Sequence, residues 1–337
     1  MTNKIEIIDM KKIYFLPFIM VTFFLFSSCN DEWKEEQYFH YVSFKAPLND
    51  KGVTRINVRY KTDGKVTYQL PLIVSGSTTN NSNLTVHVAV DPDTLQTLNY
   101  EQFQNRTDFY YKELESRFYS IPETAIIPAG ENTSVMDIDF TLYDLDLADK
   151  WILPLTIVDG PSYGYKAHPR KHYRKALLHI MPFNDYSGIY SGTGLKIFLG
   201  GYENEAPIVR NEIPTFVVDD STIFFYAGMI DEENIDRKKY KIYAHFDEET
   251  MMVSFSAEDP NINFEAFGTA IFKVDEIMDD VRPYLLHRYI TINNIDYVFT
   301  DYTTVPDKTI SYTVRGSLIM ERKINTQIPD EDQAIEW

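Results

Sequence analysis

Polarity alternates along most of this chain with a period of two, the spacing at which successive side chains fall on opposite faces of a strand. The runs 55–60 and 66–70 alternate on either side of Asp63-Gly64. That dipeptide suits the positive φ values of a tight turn, so the two runs are predicted to form a hairpin. The runs 71–74, 84–90, 125–127, 135–142, 152–158 and 173–180 extend the series. His87 alternates with Val86 and Val88 and reads as a ring on one sheet face rather than a metal ligand. Between 93 and 118 the spacing loosens, with Leu95, Leu98, Phe103 and Tyr110 recurring among helix formers, which predicts a helical insert. About seven short strands separated by turn residues argue for an immunoglobulin-like β-sandwich over residues 41–181.

Met181-Pro-Phe-Asn-Asp185 interrupts the alternation with a proline and two turn residues, the marks of a domain boundary. A second β series then occupies 185–337, in the runs 195–199, 215–218, 222–227, 240–246, 251–257, 267–273, 289–292, 295–300 and 309–322. Asp247-Glu-Glu-Thr250 and Asn293-Asn294 are predicted hairpin turns, and 275–286 a short helix. Sequential strands with short connections predict an antiparallel β-barrel, lipocalin-like, or a second sandwich. The tail 326–337 is acidic, with Ile335 and Trp337 to pin it on an apolar surface. The expected class is all-β, a sandwich followed by a barrel or a second sandwich.

One stretch obeys neither period. Lys11 and Lys12 precede an apolar run from Ile13 to Phe26, followed by Ser27, Ser28 and Cys29. This reads as an export signal, since the run falls short of the about 20 apolar residues a spanning helix needs. Cys29 is the only cysteine, so an internal disulfide is excluded. Its setting resembles a lipobox, in which the cysteine is acylated, although Phe26 stands where leucine is usual. Asp31-Glu32 resembles the surface-export signal of Bacteroidetes lipoproteins. The expected organisation is a signal peptide at 1–28, a tether at 29–40, and two domains at 41–181 and 185–337. The expected location is the outer membrane and cell surface, anchored by lipid at Cys29.

Composition narrows the function. With 50 acidic against 32 basic side chains, a net charge of −18, the chain lacks the basic footprint that nucleic acid requires. Its hydrophobic share of 44% is too high for a solvated tail. The 24 Tyr and 22 Phe against 3 Trp suit pleated surfaces.

Candidate chemistry is sparse. Asp144-Leu-Asp-Leu-Ala-Asp149 offers paired carboxylates, which cleave glycosides when they flank the bond about 5 to 9.5 Å apart. With no catalytic Glu following, the motif reads as a solvated loop before an active site or a weak calcium site. His168-Pro-Arg-Lys-His172 spaces two histidines as a helical metal pair would, but its proline argues against that helix. The stretch 166–175 carries five Lys or Arg in an acidic chain, and Lys166, Arg170, Lys171 and Arg174 are expected to form a docking patch between domains or subunits. Tyr163-Gly-Tyr165, Trp151 and Tyr202 are candidate platforms for sugar rings, whose apolar faces stack on aromatic side chains. No Walker loop, G-x-S-x-G, H-E-x-x-H or C-x-x-C motif occurs, and no cofactor or metal is implied.

Leu70-Pro-Leu-Ile-Val-Ser-Gly76, residues 86–92, Ile126-Ile-Pro-Ala-Gly-Glu131 and Leu153-Pro-Leu-Thr-Ile157 resemble the β-sandwich domain found ahead of the catalytic barrel in endo-β-N-acetylglucosaminidase-type lipoproteins of Bacteroidetes. Tyr186-Ser-Gly-Ile-Tyr190, Met320-Glu-Arg-Lys323 and the closing Asp330-Glu-Asp-Gln-Ala-Ile-Glu-Trp337 resemble an uncharacterised domain that follows it. The whole is similar to surface lipoproteins of glycan-utilisation loci. The resemblance implies a non-catalytic protein that captures a glycan, of host N-glycan type, for an outer-membrane importer and a surface glycosidase of the same locus. The alternatives are an assembly lipoprotein docking through 166–175 and a glycosidase using Asp144.

Overall fold

The computed structural model describes residues 39–62 and 64–337. The signal segment, Cys29 and the tether up to residue 38 lie outside the described residues, as does Asp63.

The first domain is built from β1 (Tyr41–Phe44), β2 (Thr54–Arg59), β3 (Val66–Val74), β4 (Leu84–Val90), β5 (Lys112–Glu113), β6 (Tyr119–Ser120), β7 (Thr124–Ile127), β8 (Thr133–Phe140), β9 (Trp151–Ile157), β10 (Lys166–Ala167) and β11 (Lys175–Phe183). Helix α1 (Pro92–Phe103) follows β4, and a single turn, α2 (Lys171–Arg174), precedes β11. One sheet runs β10-β1-β3-β8-β6 and the other β2-β11-β9-β4-β7, with β5 beside β9. Alternation does what period two demands: in β8, Met136, Ile138 and Phe140 are buried while their neighbours are not. β9 is buried on both faces, because Leu153, Leu155 and Ile157 meet the sandwich core while Ile152 packs under α1 with Leu95 and Leu177.

The runs 55–60 and 66–70 do not pair with each other as a hairpin. β2 pairs in parallel with β11, and β3 pairs with β1 and β8 in the opposite sheet, so the strands on either side of the predicted turn belong to different layers. A turn dipeptide specifies a reversal, not the partner of the strand that leaves it. The helical insert is also shorter than the loosened spacing suggested: α1 ends at Phe103, and the chain goes on to Phe118 through two 3₁₀ turns and the short β5.

The second domain is one twelve-stranded sheet of β12 (Ile189–Ser191), β13 (Leu195–Leu199), β14 (Glu212–Pro214), β15 (Phe216–Val217), β16 (Thr222–Tyr226), β17 (Lys241–Asp247), β18 (Met252–Ala257), β19 (Glu265–Ala266), β20 (Ala270–Met278), β21 (Leu285–Asp301), β22 (Ile310–Asn325) and β23 (Ile335–Glu336). Its order is β14-β12-β22-β21-β20-β18-β17-β16-β15. The two ends, β14 and β15, are consecutive in sequence and separated by Thr215 alone, so a single extended stretch draws the sheet round into a barrel. Of the two architectures expected for this domain, it is the barrel that forms. Ile223 and Phe225 share a face with Ile242 and Ala244, and aromatic rings of Phe225, Phe246, Tyr297 and Phe299, each at most 1% exposed, fill the interior. The barrel is thus a packed core.

Two local expectations give way here. Residues 275–286 are not helical; they are the end of β20, a turn and the start of β21, where cross-strand pairing outweighs weak local propensity. Asn293-Asn294 is not a hairpin but a bulge inside the continuous β21, where the register shifts between Ile292 and Ile295 and Asn294 adopts φ 58°. Asp247-Glu-Glu-Thr250 does turn β17 into β18. The tail is pinned by β23 on β22, with Trp337 edge-on to Phe183 at 4.7 Å.

The domains are joined by more than the linker. Phe224 and Tyr226 lie on the outer face of the barrel with Lys241 and Tyr243, yet they are 2% and 5% exposed because the sandwich covers them. Lys241 Nζ sits 4.8 Å from the Phe224 ring centre and 2.7 Å from Asp146 Oδ1. Lys238 Nζ reaches Asp146 at 3.1 Å and Asp149 at 2.7 Å, and the buried Arg237 donates to the Ala148 carbonyl at 3.1 Å. The acidic motif 144–149 is therefore not a solvated loop but the sandwich's half of an interdomain fastening. At the other end of the interface, Arg59 of β2 pairs with Asp185 at 3.0 Å and with Asp332.

Candidate functional site

A pocket of about 490 Å³ opens on the sandwich where β9 leaves its sheet and the chain returns as β10 beside β1. Its making starts with Tyr165. That ring is 4% exposed, and its hydroxyl donates to the Val158 carbonyl at 2.8 Å while accepting the His87 N–H at 2.9 Å. The loop 158–165 is thereby fastened across the end of β4, and burial holds the Tyr165 pKa above its ordinary value.

Tyr163 stands on this base. Its ring stacks on the His87 imidazole at 4.1 Å and 12° and lies 5.5 Å from Tyr165. Gly160 is required beside it, since a Cβ there would come within 2.8 Å of the Tyr163 ring. A second loop supplies polar groups. The buried Asn80 amide donates to the carbonyls of Ile127 and Pro128, which leaves Asn81 and Ser82 exposed at the pocket. Phe39, 61% exposed, completes the lining, with Lys166 Nζ 4.1 Å from its ring centre. The pocket gathers the exposed Phe39 ring, the half-buried Tyr163 ring, the His40 imidazole, the Asn81 amide, the Ser82 hydroxyl and the Lys166 ammonium group, a set that suits a hydroxylated ring with an apolar face.

Among the residues singled out from sequence, Tyr163, Tyr165 and Lys166 come together here. Tyr165 acts as a support rather than a platform. Trp151 lies elsewhere: it is 9% exposed, its indole N–H donates to the Asp146 carbonyl at 2.8 Å, and its ring meets Phe118. Tyr202 is exposed on the barrel, in the turn after β13. Within the basic stretch, Arg174 pairs with Asp159 at 3.5 Å and Lys175 with Asp91 at 2.7 Å, both inside the sandwich. Arg170 and Lys171 remain exposed. His168 and His172 both pack on the Tyr173 ring.

The cations that fasten the 144–149 segment to the barrel are Arg237, Lys238 and Lys241, none of them among the residues expected at an interface. Their signal was present as Arg237-Lys-Lys-Tyr-Lys241, a second basic run in an acidic chain. Asp146, its partner, is held ionised. Burial works against that state, but hydrogen bonds from Lys241 and the Ala148 N–H, with the Lys238 charge, bring its pKa down to about 2. A carboxyl so fixed cannot supply a proton near neutrality. Among the described residues, no group of three or more His, Cys, Asp or Glu is arranged to hold a metal ion, and no helix is long and apolar enough to cross a membrane.

Comparison with known proteins places the chain among relatives from Bacteroides. A family model described as a domain of unknown function, DUF4973, matches residues 33–161, and a C-terminal domain model matches residues 174–319. A multidomain protein including DUF1735 from Bacteroides ovatus is 46% identical, with a TM-score of 0.79, over 88% of this chain and 100% of that one. An auxiliary nutrient binding protein from Bacteroides thetaiotaomicron is also 46% identical, with a TM-score of 0.79, over 89% of this chain and 100% of that one. A Bacteroides ovatus protein of unknown function is 37% identical, with a TM-score of 0.77, over 90% and 97% of the two chains. No curated protein matches.

Proposed function

The chain belongs to this family of two-domain Bacteroides proteins, a DUF4973 domain followed by a C-terminal barrel, and from that premise we propose that it is a non-catalytic carbohydrate-binding protein held at the cell surface. The observation that carries the reading is the aromatic pocket, where the exposed ring of Phe39 and the half-buried ring of Tyr163 share a lining with Asn81, Ser82 and Lys166. A sugar presents an apolar ring face to such aromatics and hydroxyls to such polar groups. The description of one relative as an auxiliary nutrient binding protein supports it. The packed barrel interior directs binding to the outside of the molecule.

In this reading Cys29 carries the lipid and the pocket captures an oligosaccharide, of host N-glycan type, for an outer-membrane importer and a surface glycosidase. Calorimetry and affinity electrophoresis against a glycan panel test it. At least one glycan should bind, and Tyr163→Ala and Phe39→Ala should each weaken binding by about 2- to 13-fold, the worth of one ring contact at ~0.5–1.5 kcal/mol. Binding to no glycan, or binding indifferent to both substitutions, overturns it. Cys29→Ser should leave both domains folded and the protein in the soluble fraction.

A second reading has its own observation. Arg170 and Lys171 are exposed and carry no ion pair among the described residues, which leaves them open to dock an acidic partner in an uptake assembly. Charge reversal at both that abolishes co-purification with a transporter, with glycan binding intact, favours that role.

A further inference from the structure

Arg288 of β21 and Arg322 of β22 are directly opposed across an antiparallel pair, a placement at which like charges repel. Their counter-charges stand to either side. Arg288 Nε pairs with Glu276 at 2.6 Å. Arg322 has only Asp185 within 4 Å among the described residues, at 3.7 Å, and Asp185 is shared with Arg59.

Arg322 is also buried, at 4% exposure. Its Nη2 donates to the carbonyls of Asn184 at 3.0 Å and Ser187 at 2.7 Å, which fixes the guanidinium. Its Nη1 has no hydrogen-bond partner among the described residues. Burial, with Arg59 and Arg288 adding to it, brings the Arg322 pKa down to about 10 against the opposing pull of Asp185. A buried guanidinium in this state is short of an acceptor.

Arg288 and Arg322, together with Arg59 of the sandwich, line a pocket of about 240 Å³ on the barrel. Its lining carries the guanidiniums of Arg59, Arg288 and Arg322 and the carboxylate of Glu331, with Leu286 and Ile324 as an apolar wall; Arg59 is already paired with Asp185 and Asp332 and Arg288 with Glu276, which leaves Arg322 the least compensated of the three. It is smaller than the ~300–1,000 Å³ clefts that hold drug-sized ligands, so it suits one small group rather than a polymer.

We propose that this pocket binds a small organic carboxylate, with the anionic group at the Arg288–Arg322 pair and the body of the molecule against Leu286 and Ile324. Carboxylate matches guanidinium geometry and forms charge-assisted hydrogen bonds. The acid is either a uronic acid residue or a free organic acid. The site is separate from the aromatic pocket and does not rest on the carbohydrate reading.

The test is calorimetry and thermal unfolding of the whole protein with sodium glucuronate, sodium benzoate and sodium chloride at equal ionic strength. Glucuronate or benzoate should bind and raise Tm, and whichever acts identifies the source, while chloride should do neither. Arg288→Gln should weaken that binding by about ten-fold or more, the loss of one charge-assisted contact. It should also leave Tm without ligand unchanged or higher, since it removes the opposed charge; Arg322→Lys, which keeps the charge but loses the planar fork, is the second variant and should weaken binding as well. Absence of binding by both acids at millimolar concentration, an equal response to chloride, or full affinity in Arg288→Gln overturns the proposal.

Discussion

Asp146→Asn is expected to loosen the junction between sandwich and barrel. The Asp146 pKa falls from 3.8 to about 2 in the folded protein, which at ~1.4 kcal/mol per pH unit corresponds to roughly 2.5 kcal/mol. Because 39% of the side chain is exposed, solvent screening reduces this to about 1–2 kcal/mol. The folded-state pKa is depressed, so the stabilisation is present above the unfolded value near 4 and is lost as pH falls toward 2. Urea unfolding followed by tryptophan fluorescence suits the measurement, since the Trp151 indole N–H binds the Asp146 carbonyl. The variant should be destabilised by about 1–2 kcal/mol at pH 7, and most of the gap should be gone by about pH 2, where Asp146 is half protonated in the folded parent and fully so when unfolded. A double-mutant cycle with Lys241→Met should return a favourable coupling, as expected for neighbours at 2.7 Å. A variant as stable as the parent at pH 7, or a deficit undiminished at pH 2, refutes the reasoning.

Other outcomes follow from single contacts. Gly316 sits at φ 138°, where a Cβ would meet the Gly194 carbonyl oxygen at 2.0 Å, so Gly316→Ala should part β13 from β22 and cost about 3 kcal/mol or more, read as a fall in Tm. The His287 ring lies between Glu321 and Asp279, whose hydrogen bonds raise its pKa. Its NMR titration midpoint should therefore lie above 6.5, with its contribution to stability present below the unfolded pKa and lost as pH rises through the folded value; His287→Gln should flatten that dependence. Asn99 exchanges two 2.8 Å hydrogen bonds with the Tyr111 backbone, and Asn99→Ala should cost about 1–3 kcal/mol and speed proteolysis around α1.

The strands of both domains were legible because period two is a local property of the chain and burial on one face enforces it. Pairing was less so. Asp63-Gly64 and Asn293-Asn294 are both turn-forming dipeptides, yet the strands flanking the first lie in different sheets and the second makes a bulge, since partners distant in sequence decide where a bent strand goes. The run 275–286 reads as helical for a different reason: residues 275–278 pair with 286–289 across a turn, and the weak local propensity of the run does not register that partnership. At the candidate pocket, Tyr163, Tyr165 and Lys166 lie together because they are sequence neighbours, although Lys166 was expected in a docking patch rather than beside the aromatic pair. Phe39 and Asn81, brought to them by β1 and by the loop before β4, carried no signal. The link between Asp146 and Lys241 was written only as two complementary charge runs, whose distance in sequence concealed their contact.

Closure of the barrel through Glu212–Pro214 and Phe216–Val217 has a kinetic meaning. The first segment hydrogen-bonds to β12 and the second to β16, while Thr215 is clasped to Gly188 by its backbone and hydroxyl. Both seams of the ring hang on one short piece of chain, so the parting of either one opens the ring. Amide hydrogens on β12 and β16, on opposite sides of the closure, should then exchange with solvent through openings that begin at this segment. The barrel behaves as a hoop with a single buckle, and the buckle sets how long it holds.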